Sequence, residues 1–215
     1  MFTPAEQGTL ELRISADRLA PYRATVGGDL SRALALYAWN RDVSAAFAGT
    51  LGDLEVMMRN SMHEALAAWS AAKFGQPRWY LDPGHFLEAQ AQADIAKARQ
   101  RATSGGRAET PGRVVAELGF GFWRFLLASR YDRTFWVPGL RHAFPHHRGL
   151  RRTVHDTVKD LHLLRNRIAH LEPIHNRPLT TLHTASMTVA GWICPVGRRW
   201  LDEHCGVQRL LACRP

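Results

Sequence analysis

The sequence predicts an all-α protein, and three observations predict it. Apolar residues recur at spacings of three and four in three segments. These are Phe47, Leu51, Leu54, Met58, Met62, Ala65, Leu66 and Trp69; then Val115, Leu118, Phe122, Phe125 and Leu126; then Val154, Val158, Leu161, Leu164 and Ile168. No stretch alternates apolar and polar residues as a half-buried strand does, and no internal repeat or low-complexity tract appears. Turn-forming clusters at 75–84 and 103–112 separate the periodic segments.

Taken in order, Ser15 caps a short helix over 16–25, which Pro21 makes less regular and Gly27-Gly28 end. Asp29 caps a second helix through Leu34, Leu36, Tyr37 and Trp39, with a joint expected at 40–42. A long helix then runs to Phe74, in which Gly49 and Gly52 permit close packing or a bend. Residues 75–84 form a loop and 86–102 an Ala- and Gln-rich helix. Residues 103–112 (TSGGRAETPG) are expected to be the flexible internal loop. A helix over 113–129 follows, then an aromatic connection over 131–144 with a short helix of its own. The basic turn 145–149 leads into a helix ending near residue 170. Helices over 180–194 and 195–211 close what reads as a single domain, 1–215, with an N-terminal extension over 1–28.

Composition narrows the function. The chain of 215 residues is 46% hydrophobic with seven Trp, so it can bury a real core. A net charge of +9 points to an anionic partner, nucleic acid before a membrane surface. Between Arg141 and His170 seven Lys/Arg face two Asp, a net of +5 and more than half of the whole excess. The N-terminal ten residues lack the apolar core of a secretory signal, and no apolar run approaches the ~20 residues that span a bilayer. Cys194, Cys205 and Cys213 lack the paired spacing of zinc sites, so reduced, buried thiols in a cytoplasmic protein are expected, with no metal and no cofactor.

The densest chemistry lies in 161–174 (LHLLRNRIAHLEPI). Pro173 cannot continue a helix and pushes the residue before it out of the α region, so the helix should stop near His170 or Leu171. Asn166 and His170, four apart, share a face. Arg165 falls at the edge of the apolar stripe, where an arginine needs a carboxylate, a phosphate or water. Two readings stand level on the residues alone. In one, Arg165 pairs with a core carboxylate and His170 caps a helix end; in the other, they form a site.

Arg165-Asn166-Arg167-Ile168-Ala169-His170, with Glu172-Pro173-Ile174 after it, resembles the arginine, four residues, histidine motif of HEPN-domain proteins. The polar Asn166 makes it similar to the Abi-like (abortive infection) branch. Leu36-Tyr37-Ala38-Trp39-Asn40, Leu54-Glu55-Val56-Met57-Met58-Arg59-Asn60 and Phe120-Gly121-Phe122-Trp123 extend the resemblance from about Leu30 to the C-terminus. Relatives often carry a second histidine directly after the first; here that position is Leu171.

The resemblance implies an HEPN-like helical bundle with additional N- and C-terminal helices. It also implies a metal-independent endoribonuclease, acting as a toxin or phage-defence effector and held in check by a protein or RNA antitoxin. In such a site the RNA 2′-hydroxyl attacks its own phosphodiester, leaving a 2′,3′-cyclic phosphate and a 5′-hydroxyl. Histidine suits proton transfer because imidazole titrates near neutrality. Arginine suits the phosphorane because its planar fork donates two charge-assisted hydrogen bonds. The expected roles are proton transfer for His170, charge stabilisation for Arg165 and orientation of the imidazole for Asn166. A homodimer would bring two such pairs together across a two-fold axis.

Arg151, Arg152, His162 and Arg167 are the expected RNA contacts. Glu55, Arg59 and Asn60 are supporting residues: Glu55 either makes a surface ion pair with Arg59, worth ~0.3–0.5 kcal/mol, or reaches Arg165. His142, His146 and His147 suit a solvated basic turn or phosphate contact better than a metal, and His175 is uncommitted. The methionines at 57, 58 and 62 and the tryptophans suit core packing. The competing readings are a non-catalytic RNA-binding or scaffold protein of the same fold, and a DNA-binding regulator, for which no helix-turn-helix is visible.

Overall fold

A computed structural model describes residues 2–215; Met1, the first residue of the expected extension, lies outside them. Among the described residues every regular element is helical. The first, α1 (Pro4–Ile14), falls in the segment expected only as an extension. Thr3 and Glu6 form a capping box around it, the Thr3 N–H donating to Glu6 at 2.7 Å, and these bonds hold the Glu6 carboxyl below its ordinary range. Ser15, at φ +84°, ends α1 and caps α2 (Ala16–Thr25) by accepting the Arg18 N–H at 3.2 Å.

The third helix, α3 (Leu30–Phe74), runs unbroken for 45 residues, so the joint expected at 40–42 is absent. Trp39, Asn40, Val43, Phe47 and Thr50 are all buried, and the inward stripe passes straight through. Gly49 and Gly52 allow no close packing either, since nothing lies within 4 Å of where their Cβ would stand.

After a single turn at Trp79–Leu81 comes α4 (Ala89–Ala102). It starts later than expected because the Asp82 carboxylate accepts the N–H groups of Phe86 (2.8 Å) and Leu87 (3.0 Å). The loop expected to be flexible carries its own bonds: Arg107 donates to the Arg101 and Ser104 carbonyls, each at 3.0 Å. The helix expected over 113–129 is two, α5 (Pro111–Ala116) and α6 (Phe120–Leu126). The Trp123 indole satisfies the freed Leu118 carbonyl at 2.8 Å in the break. The aromatic connection expected to hold a short helix carries three short helical turns, Ser129–Tyr131, Asp132–Trp136 and Leu140–Ala143.

The site helix is α7 (Arg151–Ala169), followed by α8 (Leu179–Ile193). The last expected helix is also two, α9 (Pro195–His204) and α10 (Val207–Ala212), separated at Cys205-Gly206.

The chain divides into two compact units. The first gathers residues 2–50, Leu164–Thr184 and Cys205–Pro215. Its core holds Leu19, Tyr22, Leu36, Phe47, Leu164, Ile174 and Val207. The second gathers Leu51–Leu163 and Ala185–His204 around Met58, Met62, Trp79, Trp123, Phe135, Val158 and Leu161. Among the described residues no helix is long and apolar enough to cross a membrane.

Candidate active site

The end of α7 lies in the first unit, where Leu164 anchors it at 2% exposure. Arg165 and His170 are exposed, and Asn166 is half-buried. Arg165 therefore stands outside the apolar stripe, not at a partly buried edge, and solvent meets its charge.

The helix stops in a Schellman turn. Leu171, at φ +57°, donates to the Ile168 carbonyl at 3.0 Å, and Glu172 donates to the Arg167 carbonyl at 2.8 Å. A leucine in the left-handed region costs about 1–2 kcal/mol, so something must hold it. Three side chains do. Arg18 donates to the Leu171 carbonyl. Arg167 donates to the Pro173 carbonyl at 2.8 Å and pairs with Glu172 at 2.9 Å. The buried Asn40 carboxamide accepts the N–H groups of Ile174 (2.8 Å) and His175 (2.9 Å). The backbone leaving His170 is thus fixed from both sides.

Several of the expected site residues have partners within the chain. The Arg167 guanidinium is engaged with Glu172 and the Pro173 carbonyl. Arg151 is likewise engaged: it pairs with Asp132 at 3.0 Å and donates to the Leu127 carbonyl, its side chain only 15% exposed. Arg152 stays exposed, with a 3.3 Å contact to Asp156. His162 stacks on Phe120 with ring centroids 5.7 Å apart, and Gly121 leaves room for it, a Cβ there falling 3.1 Å from its Nε2. That places His162 in the packing of the second unit.

Glu55 and Arg59 are half-buried and Asn60 exposed, all three in the second unit. The expected Glu55–Arg59 ion pair does not form; the Arg59 Nε is buried without a hydrogen-bond partner. His142 and His146 are exposed, whereas His147 packs edge-on to Trp192 at 4.5 Å. Among the described residues no three His, Cys, Asp or Glu are grouped to hold a metal.

Asn40 and Arg18 are the positioning residues that sequence reasoning missed. Asn40 stood in a stretch already singled out, but nothing local announces that it caps a backbone 134 residues away. His175 is also more than a loop residue. It is buried at 1% exposure against Tyr22, 4.7 Å between rings, and burial lowers its pKa, with Arg214 adding to the effect. Comparison with family models, curated proteins and solved structures finds no match to this chain.

Proposed function

We propose that the chain is a metal-independent endoribonuclease of the HEPN type, close to the Abi-like branch, acting as a toxin or phage-defence effector under the control of a protein or RNA antitoxin. The observation that carries this reading is the pair Arg165 and His170, both exposed within about one and a half turns at a helix end whose exit is rigidly held. A preorganised end of this kind suits chemistry that consists of positioning and charge stabilisation.

In this reading His170 moves the proton of the 2′-hydroxyl or of the leaving 5′-oxygen. Arg165 neutralises the pentacovalent phosphorane, and Asn166 orients the imidazole. One chain supplies one histidine, so acid and base come from two copies in a homodimer, with the two site helices meeting at the interface. Leu163 at 52% and Leu171 at 72% exposure are the apolar side chains available to that interface. Arg152, exposed although it contacts Asp156, remains the phosphate contact of the expected set.

The test is cleavage of RNA by purified protein in EDTA, wild type beside Arg165→Ala and His170→Ala, with product ends read for 2′,3′-cyclic phosphate. Both side chains are exposed, so the substitutions should shift stability by less than about 0.5 kcal/mol and report on chemistry. Loss of cleavage in both is the expected result. RNA that is bound in a salt-sensitive way but never cut would instead favour the non-catalytic RNA-binding reading.

A further inference from the structure

A cleft of about 290 Å³ opens in the first unit beside the turn that follows His170. Its apolar lining is Ala45 and Ala48 of α3, Ile168 of α7 and Leu171. Its polar lining is Arg18, Tyr37, Asn40, Arg41, Ser44 and Glu172, of which Asn40 is committed to the Ile174 and His175 N–H groups and Arg41 to the neighbouring Asp42. The size lies at the lower edge of small-molecule pockets, about 300–1,000 Å³, enough for one base and its sugar and too little for a longer piece of strand.

The polar groups have defined capacities. Glu172 Oε2 meets Arg167 at 2.9 Å, which leaves the carboxylate further lone pairs. Arg18 spends one terminal nitrogen on the Leu171 carbonyl and keeps other donors of its five. Ser44 donates to the Asn40 carbonyl at 2.6 Å and can still accept. A carboxylate and a guanidinium lining one cleft complement guanine: N1–H and N2–H₂ are adjacent donors, and O6 and N7 are acceptors. Unstacked bases of single-stranded RNA are read in this way, by their edges over an apolar or aromatic bed.

We infer that this cleft holds one guanine of the RNA strand next to the scissile phosphate, with Glu172 as the specificity-determining residue and Arg18 as its donor partner. The inference rests on the ribonuclease reading for its strand, but its test does not rest on cleavage. Guanosine, adenosine, cytidine and uridine 3′-monophosphates are titrated calorimetrically into the full chain, wild type, Glu172→Gln and Ala48→Leu. The guanosine nucleotide should bind about tenfold tighter than the others, and Glu172→Gln should remove that preference, since a site built to accept N–H groups discriminates through them. Ala48→Leu occupies the cleft from an exposed position without touching a charge, and it should weaken all four. Equal binding of the four nucleotides, or a preference that neither variant moves, overturns the proposal. Cleavage without guanine preference also overturns it and leaves the ribonuclease standing. Guanine-selective binding with no cleavage under any condition sinks the ribonuclease and keeps the cleft.

Discussion

Asn40 and Ile174 are joined by a 2.8 Å hydrogen bond from the Ile174 N–H to the Asn40 carboxamide, and the same oxygen takes the His175 N–H at 2.9 Å. Asn40 is 5% exposed, so both N–H groups lose water when they pair. Asn40→Ala would leave two buried donors unsatisfied at about 1–3 kcal/mol each. Allowing for relaxation, urea denaturation should show a loss of about 2–4 kcal/mol. If the backbone after His170 is what this clamp positions, RNA cleavage should fall more than the folded fraction does.

Arg151 and Arg152 are neighbours in sequence with opposite duties. Arg151 is mostly buried against Asp132 and the Leu127 carbonyl, whereas Arg152 is 83% exposed. Hydrogen bonds to charged groups contribute about 1.5–3 kcal/mol, less where the partner is solvated, and Asp132 is 46% exposed. Arg151→Ala should cost about 1–2 kcal/mol in thermal or urea melts. Arg152→Ala should cost under about 0.5 kcal/mol and, if it contacts phosphate, lower the slope of RNA affinity against salt by about one.

What the sequence made legible was whatever one helix settles alone. The stripe from Val154 to Leu164, the stop at Pro173 and the caps at Ser15 and Asp29 appear where periodicity and cap chemistry put them. The break between α5 and α6 was hidden because Leu118 and Phe122 keep helical spacing across it, although Gly119 sits between them. The capping box at Thr3 is likewise local, since Thr3 and Glu6 stand at the spacing it requires. The duties of Arg18, Asn40, Arg151 and Arg167 were not legible, because each depends on backbone carbonyls or N–H groups that no side-chain pattern encodes.

Acid should destabilise both units through one histidine each, the buried His175 and the half-buried His63. Burial lowers the pKa of His175 in the first unit and of His63 in the second. The Trp79 indole donates to His63 Nδ1 at 3.0 Å, a bond that protonation would abolish. Thr25 Oγ1 donates to the Pro21 carbonyl and lies 3.0 Å from His175 Nε2, which makes Nε2 the protonated nitrogen and leaves Nδ1 buried without a partner. Both folded pKa values lie below the unfolded value of about 6.5. Above that pH neither state binds the proton and stability is unaffected. Below it the unfolded chain takes up protons first, so stability falls as pH drops toward the folded values. Urea midpoints measured from pH 7.5 to 5 should decline. His175→Gln should flatten part of that decline, and an unchanged slope would remove His175 from the account.

Leu171 should respond to substitution in two opposite directions. Its backbone sits at φ +57°, where glycine is not penalised, and its side chain is 72% exposed. Leu171→Gly removes the left-handed cost of about 1–2 kcal/mol but returns about 0.4–1 kcal/mol through the freer unfolded chain. The net expectation is a gain of about 0.5–1 kcal/mol, read by urea denaturation at a concentration where the protein is monomeric. If Leu171 also lies at the two-fold interface proposed for the site, the same substitution should weaken the dimer in sedimentation and slow cleavage. Greater monomer stability with a weaker dimer would locate the interface at the helix end. A dimer of unchanged affinity would exclude Leu171 from it and shift attention to Leu163, whose replacement by glutamate should then break the dimer with little cost to the fold.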